Sequence, residues 1–357
     1  MKYDPKETAN PIIVTPTPDN PRNFSITLDT PISPRENFRR MYKGQAEWIP
    51  TGMDTGWFCP RIIPDNIARA FVIESQKYTG PVGGKDMFGI EWEYVPSAHG
   101  SINRPGNPTL KDITQWKEVI HFPDVDSWDW EGSAKENREY LKNAVKYQNV
   151  CIFTSYFERL ISFMDFGPAA YAIQNKKSQV YVNEIFERLT DLWIDIVDHC
   201  AKYFGHDFDG FCFHDDWGAQ HSPFFNARVV RQMIVPHMKR LTDHIHSLGY
   251  NADLHSCGKL LGLITCIEEA GWDSWEGMVI NDYSDAYANR STKLIMKAVY
   301  DEGKMNAATD DEIKALATRY VEEFGHRDHP VINGYRWPTK PEFYIEVYKQ
   351  SREKFGA

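Results

Sequence analysis

The stretch Asn251-Ala252-Asp253-Leu254-His255-Ser256-Cys257-Gly258, entered through Leu248-Gly249-Tyr250, decides the fold. It reads as a short buried strand that ends in a glycine turn. Side chains two apart on a strand share a face, so His255 and Cys257 project together. An imidazole beside a thiolate is a donor pair that Zn²⁺ prefers. Upstream, the apolar run Phe211-Cys212-Phe213 leads into the polar cluster His214-Asp215-Asp216-Trp217-Gly218. Two strands ending in chemically capable residues, joined by a long helix, place a site at the carboxyl ends of a parallel sheet.

Outward from that pair the rhythm is regular. Strand 209–214 leads to helix 226–249, which Pro236 kinks. Strand 251–256 leads to helix 260–270, a strand near 275–280 to helix 291–302, strand 304–308 to helix 311–324, and strand 330–333 to a final helix over 340–355. Before them, a helix with apolar residues at helical spacing runs from Ser178 to Gly205. Repeated βα units with short joins give an α/β fold, here a (β/α)8 TIM barrel with an N-terminal extension. The barrel takes residues 33–357 as a single catalytic domain. Residues 1–32, rich in Pro, Thr and Asn, are expected as an extended arm over the surface or across a homodimer. Ser33-Pro34-Arg35-Glu36 carries the pattern of a helix start with a capping box. Asp65 is expected to cap a helix reaching Gly80, and residues 96–110 form a loop long enough for a lid.

Bulk properties narrow the function. The chain has 357 residues, 42% of them hydrophobic, and a net charge of -10. An acidic balance argues against nucleic acid, which calls for a basic face. The six cysteines are scattered, several inside apolar runs, the pattern of buried thiols in a cytoplasmic protein rather than a disulfide framework. The sequence holds no apolar run of the roughly 18 residues needed to cross a membrane, and Met1-Lys2-Tyr3-Asp4-Pro5 does not open a signal peptide.

Candidate chemistry gathers at the expected strand ends. His214, Asp215 and Asp216 are candidate catalytic residues, and strand alternation puts His214 and Asp216 on one side and Asp215 on the other. Glu91 and Glu93 share a strand face. Paired carboxylates raise one pKa, which suits Glu93 to acid catalysis or metal binding and Glu91 to substrate contact. Asp54, Trp57, Trp217, Tyr335 and Arg336 are further candidates for lining a substrate pocket.

Asp209-Gly210, then Asp215-Asp216-Trp217-Gly218-Ala219-Gln220, then Pro236 in a long helix, then Leu254-His255-Ser256-Cys257-Gly258 resemble the uroporphyrinogen decarboxylase superfamily. The closer likeness is to its corrinoid-dependent methyltransferase branch. It extends over most of residues 33–355 and is most specific around 209–275. The resemblance implies a (β/α)8 barrel. It also implies that His255 and Cys257 are zinc ligands, and that a methyl group moves between a small donor and the cobalt of a corrinoid on a separate partner protein. A late third cysteine of that branch has no counterpart here; Glu93, Asp215, Asp216 and Glu276 are the carboxylates available to replace it. The decarboxylase proper needs an arginine-bearing loop after the first strand, where this chain offers Met53-Asp54-Thr55-Gly56-Trp57 and a single Arg61. The aromatic content favours an aryl methyl ether as donor. Two alternatives stand beside this expectation: decarboxylation of a smaller acid on the same barrel, and a non-catalytic corrinoid- or ligand-binding barrel.

Overall fold

A computed structural model describes residues 1–15, 17, 24–98, 100–289, 294–299, 308–334 and 340–357. Among these, twelve strands follow in chain order: β1 (Ile12–Val14), β2 (Ser25–Thr27), β3 (Thr55–Phe58), β4 (Gly84–Lys85), β5 (Glu91–Val95), β6 (Gly100–Asn103), β7 (Tyr147–Ile152), β8 (Gly210–His214), β9 (Asn251–His255), β10 (Ser274–Glu276), β11 (Ile295–Ala298) and β12 (Val331–Asn333). The chain divides into two compact units, one of residues 1–56, 144–148 and 282–357, the other of residues 57–143 and 149–281.

The first unit contains the parallel pair β11–β12, with Met296 opposite Val331 and Ala298 opposite Asn333. Helices Asp310–Phe324 and Pro341–Gly356 pack on each other. Thr309 caps the former through a complete capping box with Glu312. Strand β11 corrects the expected helix over 291–302. Leu294, Ile295, Met296 and Ala298 are all buried, and a short apolar run of this kind has the same appearance in a buried helix and a buried strand. Of the expected strand 304–308, residues 304–307 lie outside the described residues.

The expected extended arm is folded in part. A 3-10 turn at Pro5–Thr8 and the antiparallel pair β1–β2 occupy it. Glu7 is tied to Arg352, whose Nε and Nη2 donate to its carboxylate at 3.0 Å each. Helix Pro34–Tyr42 starts where expected, with the Ser33 side chain accepting from the Glu36 N–H. The capping box is only half made, because the Glu36 carboxylate turns forward to Arg40 Nε at 2.8 Å.

The second unit is built on parallel strands. β7, β8, β9 and β10 lie side by side, in the order β7-β8-β9-β10. Registers run Cys151 to Cys212, His214 to His255 and Glu276 to His255. β7 is buried along its whole length and β8 along all but His214. That is why Val150–Ile152 of β7 and Phe211–Phe213 of β8 read as continuous apolar runs rather than alternating ones. Helix Gln179–Phe204 lays Val182, Ile185, Leu189, Trp193, Ile196 and Cys200 in the core and packs on helix Val235–Ser247. The expected break at Pro236 is present: helix Ala227–Met233 ends, and the next begins with this proline in its first turn.

Two further expectations are corrected in this unit. Asp65 does not cap a helix to Gly80; the helix is Pro64–Ala68, and Asp65 is buried inside it against Arg159. Satisfying that guanidinium takes the carboxylate away from the helix end. The stretch expected as a lid instead contains β6, paired antiparallel with β5 so that Glu93 faces Ile102 and Tyr94 faces Ser101. The backbone groups of β6 itself are tied up in that ladder.

Candidate metal centre

β8 and β9 end level with each other, and each ends in a histidine. Side chains of paired residues in parallel strands project to the same face. The His214 and His255 rings accordingly stack, with centroids 4.4 Å apart and planes 18° apart. Two residues beyond β9 the chain returns to the same face with Cys257, whose Sγ is 3.4 Å from His255 Nε2. Two residues beyond β8, Asp216 does likewise, its Oδ1 accepting from the Cys257 N–H at 2.6 Å. One ligand atom from each of His214, Asp216, His255 and Cys257 can be chosen so that all lie within 4.8 Å of one another.

The turn that makes this possible is glycine-dependent. Gly258 has φ +96°, and a Cβ on it would fall 2.3 Å from the carbonyl carbon of Gly218. The loops after β8 and β9 therefore touch backbone to backbone, and only glycine permits both the conformation and the approach.

A fifth residue fixes the arrangement. His214 Nδ1 lies 2.5 Å from Glu158 Oε2, on the first turn of helix Phe157–Met164. Burial alone would raise the Glu158 pKa, but the neighbouring His214, then Arg69, hold it below its usual range. Burial pulls the other way on His214, yet Glu158 outweighs it and raises the imidazole pKa. A carboxylate on one ring nitrogen leaves Nε2 as the free donor atom, the usual outer-shell arrangement of a metal-bound histidine.

Asp215 faces away. It is fully buried and accepts from the backbone N–H groups of Tyr156 and Glu158, each at 3.0 Å, and from the Trp217 indole at 2.8 Å. Consecutive residues of one strand end thus grip the same helix from two sides. Burial, then the nearby Glu158 charge, pushes the Asp215 carboxyl up to about 7.

Donor chemistry tests the fit to a metal. Two imidazoles, one thiol and one carboxylate make an N₂SO set suited to tetrahedral zinc. The Cys257 thiol is held protonated by burial and by the charge of Asp216. Burial and Glu158 also raise Asp216, against the pull of His214. A thiolate at Cys257 would be repelled by the Asp216 carboxylate, and a divalent cation there would reverse that balance.

Other candidate positions fall elsewhere. Glu93 is exposed and ion-paired with Arg104, whose Nη2 is 2.6 Å from Oε1; Glu91 is exposed on the same strand. Asp54 belongs to the first unit, where its Oδ2 accepts from the Thr51 N–H at 2.7 Å. Trp217 is completely buried against Asp215. Trp57 is half-buried, edge-on to Phe71 and Phe153 at 6.1 and 5.8 Å. Tyr335 and Arg336 lie outside the described residues. Two residues beside the cluster escaped the sequence reading, Glu158 and Arg69. An acid in the first turn of the helix after β7 was the available signal for Glu158.

No protein-family model matches the chain, and no curated protein matches it. Among solved structures, a methyltransferase from Methanosarcina mazei aligns over 91% of this chain and 100% of its own, with a TM-score of 0.57 at 13% identity. The two chains share a fold. An intracellular xylanase from Thermoanaerobacterium saccharolyticum covers 60% of this chain and 80% of its own at 11% identity, and its TM-score of 0.32 is too low to carry any argument.

Proposed function

We propose that this protein is a methyltransferase. It moves a methyl group between a small donor and the cobalt of a corrinoid on a separate protein, with zinc held by His214, Asp216, His255 and Cys257. A closed (β/α)8 ring belongs to the same proposal. The observation that carries it is the convergence of these four side chains at the ends of β8 and β9, with His214 held by Glu158. The fold likeness to a methyltransferase supports it.

Removing a methyl group from an ether oxygen is limited by the leaving group, which departs only when protonated or bound to a Lewis acid. Zinc would supply that acid, and the corrinoid the nucleophile. The chain's own residues do the positioning. Glu158 fixes the His214 ring and its tautomer. Asp216 holds the Cys257 backbone. Phe153 stands 6.0 Å from the His214 ring and stacks on Phe71 at 4.7 Å, so that with Trp57 it walls the approach with apolar surface.

Elemental analysis of the purified protein beside Cys257→Ala and His255→Ala tests the reading, followed by methyl transfer from an aryl methyl ether to cob(I)alamin read by absorbance. One zinc per chain, lost in both variants together with transfer, is expected. A zinc-free wild type, or transfer that survives His255→Ala, overturns it.

A further inference from the structure

We infer that Arg69 is the anchor for an anionic group, a carboxylate in the first instance, carried on the ring of an aromatic methyl donor. This rests on the methyl-transfer reading and narrows its substrate class.

Arg69 closes the end of helix Pro64–Ala68, and its side chain is only 14% exposed. The guanidinium lies over the Trp92 ring at 4.6 Å and near the Phe153 ring at 5.9 Å. Nη1 donates to Thr154 Oγ1 at 2.6 Å. Thr154 sits just past β7 with φ +65°, a conformation that a β-branched residue adopts only when its surroundings impose it. The cation is thus held in place by rings and a hydroxyl.

Its charge is not matched at short range. The nearest carboxylate, Glu158, is 3.9 Å away and gives its close contact to His214 instead. Other arginines of this unit differ: Arg159 is bound to both Asp65 and Asp86, and Arg61 to both Glu74 and Glu136. The Arg69 Nε is buried, and no group among the described residues accepts its proton. A buried donor left unpaired is costly, and a ligand carboxylate would satisfy it by a charge-assisted bond.

Phe153 connects this cation to the proposed chemistry. It is the ring nearest Arg69 that also touches Phe71, Trp57 and His214. Trp57 and Phe71 are half-buried, leaving apolar surface for a ligand ring. A flat ring on that surface, with its anion at Arg69, has its remaining substituents directed along the wall toward His214.

Calorimetric titration with para-methoxybenzoate and its neutral counterpart para-methoxybenzamide tests the assignment without any turnover. Wild type should bind the anion at least about tenfold more tightly, as a charge-assisted contact requires. Arg69→Met should abolish the preference while keeping the zinc content and circular dichroism spectrum of wild type, and Arg69→Lys should retain part of it. Equal affinity for the two ligands, no binding of either, or a preference that survives in Arg69→Met overturns the inference. Binding with the expected preference but no methyl transfer would instead overturn the broader reading and leave Arg69 as an anion anchor.

Discussion

Glu158 Oε2 sits 2.5 Å from His214 Nδ1, so a helix outside the four-residue cluster sets the orientation of one of its members. Replacing Glu158 by Gln keeps the shape and removes the charge. Zinc affinity should fall by about 10–100-fold, the usual cost of losing an outer-shell partner. Competition with a chromophoric chelator measures it. Affinity equal to wild type would show that the contact is structural only.

The adjacent acids Asp215 and Asp216 should fail in different ways. Asp215→Ala strands three N–H donors, two backbone groups at the start of helix Phe157–Met164 and the buried Trp217 indole. Each unsatisfied buried group costs about 1–3 kcal/mol, so a loss of roughly 3 kcal/mol or more is expected in a urea titration. Asp216→Ala leaves one backbone N–H, that of Cys257, to be solvated, and should unfold near wild type while losing zinc. Equal destabilisation by the two variants would contradict the division of faces.

How much of this was legible beforehand depended on what each residue answers to. His255 and Cys257 were readable because strand periodicity is a local rule, and the same rule separated His214 and Asp216 from Asp215. Glu93 was misleading for the opposite reason. Alternation on β5 was real, but the strand belongs to an antiparallel sheet with β4 and β6, and Arg104, just past β6, meets the carboxylate. Glu158 and Arg69 reach the cluster through tertiary packing from helices, which no local pattern encodes. Strand β11 was missed because burial on both faces erases the period that tells a strand from a helix.

Gly258→Ala should disturb the cluster without replacing any of its four side chains. The added methyl meets the Gly218 backbone at φ +96°, so the Cys257 loop must move. Zinc retention should drop, and Gly218→Ala, whose Cβ meets mainly the flexible Leu260 side chain at 2.8 Å, should be milder. The metal content of the two purified variants decides this, and an undisturbed Gly258→Ala would show that the loops have room to part.

The arm before residue 33 should contribute to stability in a pH-dependent way through Glu7. Burial would raise this carboxyl, but the hydrogen bonds from Arg352 and Tyr348 dominate and lower it below 4.5. A carboxyl depressed in the folded state adds stability above its unfolded pKa, and that stability is lost as pH falls through the folded value. Wild type should therefore lose more stability than Glu7→Gln between pH 5 and the acid limit of folding, since an unfolded glutamate titrates near 4.5. At neutral pH the variant should already be weaker by about 3–5 kcal/mol, because Arg352, fully buried, is left with a much poorer partner. Paired thermal melts at neutral and acidic pH would show the two curves converging on acidification; parallel curves would mean that Arg352 draws its compensation from elsewhere.

The buried triad of Arg159, Asp65 and Asp86 gives the opposite sign. One guanidinium between two carboxylates leaves a surplus negative charge. Burial and then Asp86, against the pull of Arg159, push Asp65 up to about 6. A carboxyl raised in the folded state favours folding below its unfolded pKa of 3.8, and that contribution is lost as pH rises through about 6. Asp65→Asn should therefore flatten the part of the stability profile between about pH 4 and 6, whereas Arg159→Met should steepen it and cost about 3–5 kcal/mol at neutral pH by leaving both acids unpaired. Because the preceding residue of the helix is Glu158, the Arg159 variant should also weaken the hold on His214, so that zinc loss accompanies destabilisation in Arg159→Met but not in Asp65→Asn. Urea midpoints across that pH range, with zinc measured at each, separate the two effects, and a flat profile in wild type would exclude Asp65 as the titrating group.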